Sequence, residues 1–475
     1  MDGAEIDGGP TVFTYREVFD EVFAACNARL DDHVTTRRAD VIARHAWDDR
    51  GHLDLFADRE RSIASVAAFA GEDTAKGYRN FTDEAQRIFE VLEGPFLRGD
   101  KASTPLPMMW RIGPTKLGDM LAMRPFDGMW NALGQHFKDQ RLRQLYGRYA
   151  TYCGSSPFSA PATLMLIAHV EARGVWLIEG GIHALARALA TLAGQQGARV
   201  RTNAPVAEVL TRNGRASGVR LAGGEVIPAD IVICNGDPSA LATGKLGEGA
   251  ARAVPAIPPA KRSLSALVWY AHTRTQGFEL SHHNVFFSPD YAHEFREISA
   301  GQTPSDPTVY VCAIDRGAGE HAPLPTGRER LQIIVNAPAN GDTHHYTPEE
   351  RERCTRTMMA TLRRCGLALE EPLSHRLMTP QDWEALFPAT GGALYGRASH
   401  GWAASFQRQG PKTRLPGLYC TGGATHPAAG VPMAALSGQL AARVIAKDLA
   451  STRTSPRAAI PGGMSMPSAT TGSTG

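Results

Sequence analysis

The chain has 475 residues, 43% of them hydrophobic and 21% charged, with 50 Lys and Arg against 48 Asp and Glu. This is the composition of a globular protein of about two to four domains, and it excludes wholesale disorder. A net charge of +2 gives nucleic acid no electrostatic hold.

The acidic opening, MDGAEIDGGP, has neither the basic nor the apolar region of a secretory signal, so a cytoplasmic chain is expected. A turn at Gly8–Pro10 precedes an amphipathic helix predicted over Tyr15–Arg29, with Val18, Phe19, Val22 and Phe23 at helical spacing. From about Asp73 to Arg173 the pattern is mostly helical and punctuated by prolines. No run reaches the ~20 apolar residues that span a bilayer. The most apolar stretch, Thr163–Ile178, is interrupted by His169, Glu171 and Arg173. Within the helical region Met108, Met109, Met120, Met123 and Met129, with Leu106, Trp110, Phe126 and Trp130, form either an adaptable apolar surface or a core in which methionine fills gaps.

Ile178–Gly181 leads into a helix with Leu185, Leu189 and Leu192 on one face. Short strands are predicted at Arg199–Arg201, Val206–Leu210, Gly218–Leu221 and Ile231–Cys234, with turns at Asn213-Gly214 and Gly223-Gly224, which makes a βα unit with a β-meander attached. Further strands are predicted at Ser265–Ala271, Asn284–Phe287, Val309–Ala313 and Leu331–Asn336, then a charged helix at Pro348–Cys365. Leu418–Thr421 reads as a strand, Gly422–Gly430 as a glycine-rich loop, Pro432–Ala446 as a helix of small residues, and Ser451–Gly475 as a disordered tail. Strand, glycine loop and helix together let backbone and helix N–H donors approach a bulky or anionic ligand; close packing of helix on strand asks for the same residues.

The seven cysteines are odd in number and show no C-x-x-C spacing, which suits unpaired, buried thiols in a reducing compartment. The pairs His282-His283 and His344-His345 suggest metal only weakly. Adjacent strand residues face opposite sides, so no metal site is expected.

Several segments together resemble the flavin-dependent carotenoid desaturases, the phytoene desaturase family within the amine-oxidase-like flavoproteins. They are Asp7-Gly8-Gly9-Pro10-Thr11-Val12, Gly174-Val175-Trp176 followed by Gly180-Gly181, His282-His283-Asn284-Val285, and Gly422–Pro432, GGATHPAAGVP. The last is the most specific, and the resemblance covers residues 1 to about 450. The stretch Arg16-Glu17-Val18-Phe19 is most similar to the 1-hydroxycarotenoid 3,4-desaturases of purple photosynthetic bacteria.

The resemblance implies an α/β, Rossmann-like FAD/NAD(P)-binding fold with a β-rich substrate domain and a helical lid. No segment reads as the strand–GxGxxG–helix unit that opens the family and holds the FAD pyrophosphate, so the fold is expected to lack its first βαβ unit, through a misassigned start or a truncation, and to hold FAD less tightly. The implied layout has a remnant of the FAD domain and the entry to the substrate domain at 1–60, a helical, membrane-facing lid at 61–173, FAD-domain βα and meander at 174–245, and a substrate domain at 246–385. A C-terminal FAD segment follows at 386–450, then the tail at 451–475.

The implied activity is desaturation of an acyclic carotenoid, with peripheral membrane contact, FAD as cofactor and the polyene as partner. Removing two hydrogens from neighbouring carbons needs a redox group that no side chain supplies. Asp119 matches an acid/base position of related desaturases, and its Gly-Asp setting before an apolar run also reads as a helix cap. Gly8, Gly9, Pro10, Gly180, Gly181, Val206, Gly422, Gly423, Gly430, Val431, Pro432 and Met433 are the implied cofactor contacts. Thr425 and His426 sit inside the glycine loop, where His426 either touches a ligand or holds the loop. Asp230, Asn235 and Asp237 flank a strand where ligands gather in α/β folds or where Asx turns form. Alternatives to a carotenoid desaturase of this kind are a phytoene desaturase, another amine-oxidase-like flavoprotein, or a truncated, non-catalytic chain. An amine oxidase would bring an aromatic pair and a lysine near the flavin, and the loop 422–433 has neither.

Overall fold

A computed structural model describes residues 3–454 apart from 49, 50, 103, 105, 106, 108, 109, 111–117, 119–123, 125, 320, 321, 323 and 402. In strands Val309–Ala313 and Glu329–Ala337, side chains alternate between two covered faces. Val309, Val311, Leu331, Ile333 and Val335 point to helix Pro348–Arg364 and pack with Met358 and Leu362. Tyr310 and Ile334 point the other way, toward the helices of the first third of the chain. Trp269, on neighbouring strand Ser265–Thr273, donates its indole N–H to the Thr355 hydroxyl at 2.9 Å and pins the helix to the sheet.

Seven strands make this sheet, in the order His375–Met378, Ser265–Thr273, Glu329–Ala337, Val309–Ala313, His283–Phe286, Val41–Ala46 and His52–Phe56. The last two lie in a region where the sequence pattern suggested no strand. Val41–Ala46 carries Arg44 and His45 in mid-strand, which masks it. Arg44 is neutralised across the ladder by Asp54 at 2.8 Å, and His45 is buried with its Nδ1–H on the Leu53 carbonyl at 3.2 Å.

The remaining elements form a second region. Phe13–Thr14, Val175–Ile178 and Thr36–Arg38 make a three-stranded sheet, covered by helices Glu17–Ala25, Ile182–Gln195 and Val431–Thr454 through Phe13, Phe19, Phe23, Leu185, Leu192 and Leu436. The helix predicted over Tyr15–Arg29 is shorter because Tyr15 and Asn27 take positive φ, 51° and 56°, at its two ends. The first hairpin of the meander forms as predicted over Val206–Arg212 and Arg215–Leu221, with Asn213 and Gly214 in left-handed geometry at its turn, but the third strand is Val226–Pro228, and the predicted Ile231–Cys234 lies outside this sheet. Arg199–Arg201 forms no strand; it has no neighbour to bond with, and exposed Arg201 pairs instead with Glu225 at 2.9 Å. Val232–Cys234 and Leu418–Cys420 pair in parallel.

The C-terminal helix runs on to Thr454, so the tail predicted from Ser451 begins as helix, and residues 455–475 lie outside the described ones. All seven cysteines are unpaired, and six are buried. No helix of the described residues is long and apolar enough to cross a membrane.

Glu294, in helix Tyr291–Ser299, is buried, and burial pushes its carboxyl up to about 8 even though Thr308 donates to it from its N–H at 3.1 Å and its hydroxyl at 2.8 Å. The native state therefore keeps a proton that the unfolded chain releases near 4.5, so stability is full below about 4.5 and falls as pH rises toward 8. Glu294→Gln is expected to reduce the slope of melting temperature against pH across that window. A slope equal to that of the parent protein would refute the assignment.

Candidate functional site

Between the two regions lies a cavity of about 470 Å³. Its wall includes Gly9–Val12, Leu92, Phe96 and Leu97 from the end of helix Glu72–Leu92 and the turn after it, the stretch Arg148–Cys153, and Leu164, Leu166, Ile167 and Val170. The cavity-side residues of the large sheet, Tyr310, Ile334 and Asn336, and the turn Pro427–Met433 complete it. Most of this lining is aliphatic or aromatic, the environment of a long apolar ligand.

The segment Asp7–Thr11 is held by hydrogen bonds to four other elements. Asp7 accepts the Gly9 N–H at 3.1 Å and the His183 N–H at 2.9 Å, which fixes it at the first turn of helix Ile182–Gln195. Tyr270 donates to the Gly8 carbonyl at 2.9 Å, Gln332 to the Gly9 carbonyl at 3.1 Å, and Tyr310 to the Thr11 hydroxyl at 2.8 Å. Gly181 leaves no room for a side chain: φ is +79°, and a Cβ there would lie 2.4 Å from an Asp7 carboxylate oxygen.

Of the cofactor contacts expected from the sequence, the cavity brings together Gly9, Pro10, Gly430, Val431, Pro432 and Met433. Gly8 lies against Tyr270 and Gly181 against Asp7, while Gly180 meets only Ala184 of helix Ile182–Gln195; none of the three lines the cavity. Gly422 has φ +109° and sits against Asn235, whose Oδ1 would be 2.4 Å from a Cβ. Gly423 and Val206 do not line the cavity; Val206 begins the meander and is 40% exposed. Asp119 lies outside the described residues, as do Leu106, Met108, Met109, Met120 and Met123. Trp110 and Phe126 are 90% and 75% exposed, and Phe126 also lines the cavity, whereas Met129 is core. Thr425 bonds within the loop to the Gly422 carbonyl at 2.7 Å, and buried His426 bonds to the Gly99 carbonyl at 3.1 Å, a structural use of both. Asp237 caps helix Pro238–Ala242 by accepting from the Ser239 N–H at 2.8 Å.

Sequence reasoning missed the polar residues of the wall. Arg148 stacks over the rings of Tyr152 and Tyr310, its Cζ 5.2 Å from each centroid, and donates to the Tyr152 hydroxyl at 3.0 Å. Glu171 is buried, accepts from the Tyr149 hydroxyl, and is pushed up by desolvation. Its one sequence signal was a carboxylate inside the most apolar stretch of the chain. Behind Tyr310, His283 donates its Nδ1–H to the tyrosine oxygen at 2.8 Å, and burial drives that imidazole well below its usual range.

His282 and His283 do meet, with ring centroids 4.6 Å apart, and a ring nitrogen of each lies within 4.8 Å of the Cys312 sulfur. The alternation argument fails here because His282 precedes the strand that His283 opens. The trio is internally bonded: His282 donates its Nδ1–H to the Arg316 carbonyl at 2.7 Å, and the Cys312 thiol approaches its Nε2 at 3.5 Å. Burial raises that thiol to about 12.

The residues around the Gly430 turn suit a flavin ring. Gly430 has φ +114° and opens a helix of 24 residues, so the Val431 and Met433 N–H groups, without partners in their own helix, meet the cavity with the positive end of the helix dipole. The electron-rich carbonyl edge of an isoalloxazine fits such donors, and Gly9–Thr11 lines the same cavity.

The flavin containing amine oxidoreductase family matches residues 1–446, and the chain belongs to it. It is 50% identical over 480 residues to a hydroxyneurosporene desaturase of Rubrivivax gelatinosus, covering 99% of this chain and 90% of that protein. It is 46% identical over 455 residues to a hydroxyneurosporene desaturase of Cereibacter sphaeroides, covering 94% and 89%. Among solved structures, a triple mutant of putrescine oxidase with redesigned cofactor binding has the same fold, at TM-score 0.52 and 15% identity over 94% of this chain and 89% of that one. The protein is thus an FAD-dependent oxidoreductase of the carotenoid desaturase type, with the α/β flavoprotein fold.

Asp7→Ala removes two hydrogen bonds to a carboxylate, and Gly181→Ala drives a methyl into it from a backbone that disfavours any side chain. Each is expected to cost about 1–3 kcal/mol. Because both act on one contact, the double variant should cost clearly less than the sum, which denaturant titration of the four proteins would show. Strict additivity would mean that the carboxylate and the glycine are not coupled.

Proposed function

We propose that this protein desaturates an acyclic carotenoid that carries a 1-hydroxyl group, at the 3,4 position, in the carotenoid biosynthesis of a purple photosynthetic bacterium, working against a membrane surface. The observation that carries this reading is the cavity itself: a mostly apolar wall that includes Gly9–Val12, Gly430–Met433 and Phe126. Identity of 50% and 46% to two hydroxyneurosporene desaturases supports the choice of substrate. Trp110 and Phe126, large apolar side chains left in solvent, support an interfacial surface through which a polyene leaves the bilayer.

The flavin supplies the two-electron oxidising capacity that side chains lack. The chain does the rest. Leu164, Leu166, Ile167 and Val170 exclude water and align the polyene along the wall. Gly9–Thr11 and the turn at Gly430–Met433 hold the ring close to it. Asp119 is the proposed acceptor of the proton that leaves the carbon next to the one losing hydride, in keeping with its match to the acid/base position of related desaturases.

With FAD and hydroxyneurosporene in detergent, the protein is expected to yield a product with one more conjugated double bond, seen as a red shift of the polyene absorption. Conversion of phytoene but not hydroxyneurosporene would overturn the substrate assignment. Asp119→Asn is expected to lower kcat about 100-fold or more with carotenoid binding retained; a kcat within threefold of the parent would remove Asp119 from the reaction.

A further inference from the structure

We infer that Arg148, with Tyr152 and Glu171, forms a hydroxyl-binding subsite in the cavity wall and selects polyenes that carry an alcohol near the reacting end. The inference rests on the reading of the cavity as a carotenoid site and adds the group that discriminates among carotenoids.

A guanidinium has five N–H donors and is always charged. Arg148 lies deep in the protein, on stretch Arg148–Cys153, and keeps accessible surface because it lines the cavity. Among the described residues it makes one hydrogen bond, to Tyr152, and no ion pair; its other contacts are the faces of Tyr152 and Tyr310. Its Nε and second Nη have no hydrogen-bond partner among the described residues, and the residue lines the cavity. A buried cation without a carboxylate partner is costly unless something else supplies oxygen lone pairs. The only chemistry that a hydroxylated polyene offers for this is its alcohol oxygen.

An alcohol also needs an acceptor for its own proton. Glu171 lines the same cavity, is close enough to feel the Arg148 charge, and already accepts from Tyr149. Donor and acceptor thus face a single apolar space, the arrangement that a hydroxyl satisfies on both sides. Arg148 is tied through the Tyr310 ring to Thr11, whose hydroxyl accepts from Tyr310, and Thr11 adjoins the Gly9–Pro10 wall. A 1-hydroxyl held there would set the neighbouring 3,4 bond beside that wall. A polyene without the alcohol leaves the guanidinium dry and unpaired, which penalises it.

The test is binding, which does not depend on turnover: titration of hydroxyneurosporene and of the same polyene without its hydroxyl into detergent-solubilised protein, following the polyene absorption. The parent protein is expected to prefer the hydroxylated ligand by about 10- to 100-fold. Arg148→Met should bring the two affinities within about threefold by weakening only the hydroxylated ligand, and Tyr152→Phe should move the same way by less. Melting temperature shows whether each variant is folded, and Arg148→Lys replaces Arg148→Met if it is not; a lysine that keeps the charge should keep part of the preference. Equal affinities in the parent protein, an undiminished preference in Arg148→Met, or parallel weakening of both ligands would each overturn the inference. A parent protein that prefers the hydroxylated polyene yet desaturates neither would sink the proposed function and leave the subsite standing.

Discussion

The Asp7 carboxylate is the contact on which the cavity depends. One residue near the start of the described chain accepts from Gly9 and from the first turn of helix Ile182–Gln195, so the strap Asp7–Thr11 is fixed in the wall between the two regions. Two carbonyls and a hydroxyl that follow are then taken by three different strands: Gly8 by Tyr270, Gly9 by Gln332, Thr11 by Tyr310. The four bonds that leave the strap, at about 1 kcal/mol net each, do not make a fold, but they make a register. Moving the strap by one residue would break all of them together, and with them the backbone wall that faces the turn at Gly430–Met433.

Strands buried on both faces give the cavity its other wall. In Val309–Ala313 and Glu329–Ala337 one set of alternate residues is aliphatic and locked against helix Pro348–Arg364, which leaves the opposite set free to carry chemistry. Tyr310 uses that freedom. It stacks under Arg148, donates to Thr11 and accepts from His283, joining the sheet, the strap and the helical region at one phenol. Such networks are demanding, since an unsatisfied member in a low-dielectric interior costs more than a lost surface contact.

Much of the fold was legible from periodicity. The first hairpin of the meander, the strands at 265–271, 309–313 and 331–336 and the charged helix after Thr347 follow period-2 and period-3.6 patterns closed by Asn-Gly turns or by a capping box, here Thr347 with Glu350. What stayed hidden depended on pairing across distance. Val41–Ala46 does not alternate cleanly because Arg44 meets Asp54, and Arg199–Arg201 alternates without a strand to receive it. The site divides in the same way. Local glycine chemistry pointed to the turn at 430–433 and to Gly9–Pro10. The role of Gly181 could be seen only once Asp7 lay against it, and Arg148 looked like one more charge on a helical stretch until the fold turned it inward.

Burial also settles the sign of the charge in that inner space. Desolvation raises both buried carboxyls near Arg148, Glu171 and Glu294, the latter to about 8, so each favours its neutral form more than a surface glutamate does. Arginine does not answer desolvation by losing its proton, because its intrinsic basicity is too high. The environment therefore keeps the positive charge while weakening the negative ones, and the phenol faces of Tyr152 and Tyr310 supply part of the missing compensation. A wall that meant only to repel water would have placed a leucine there. The other arginine of the wall, Arg408, gives its guanidinium to the Gly423, Tyr395 and Arg397 carbonyls, whereas Arg148 has only the Tyr152 hydroxyl, so a ligand that brings lone pairs compensates it, and a single alcohol on a long polyene is the smallest change to hydrocarbon that does so.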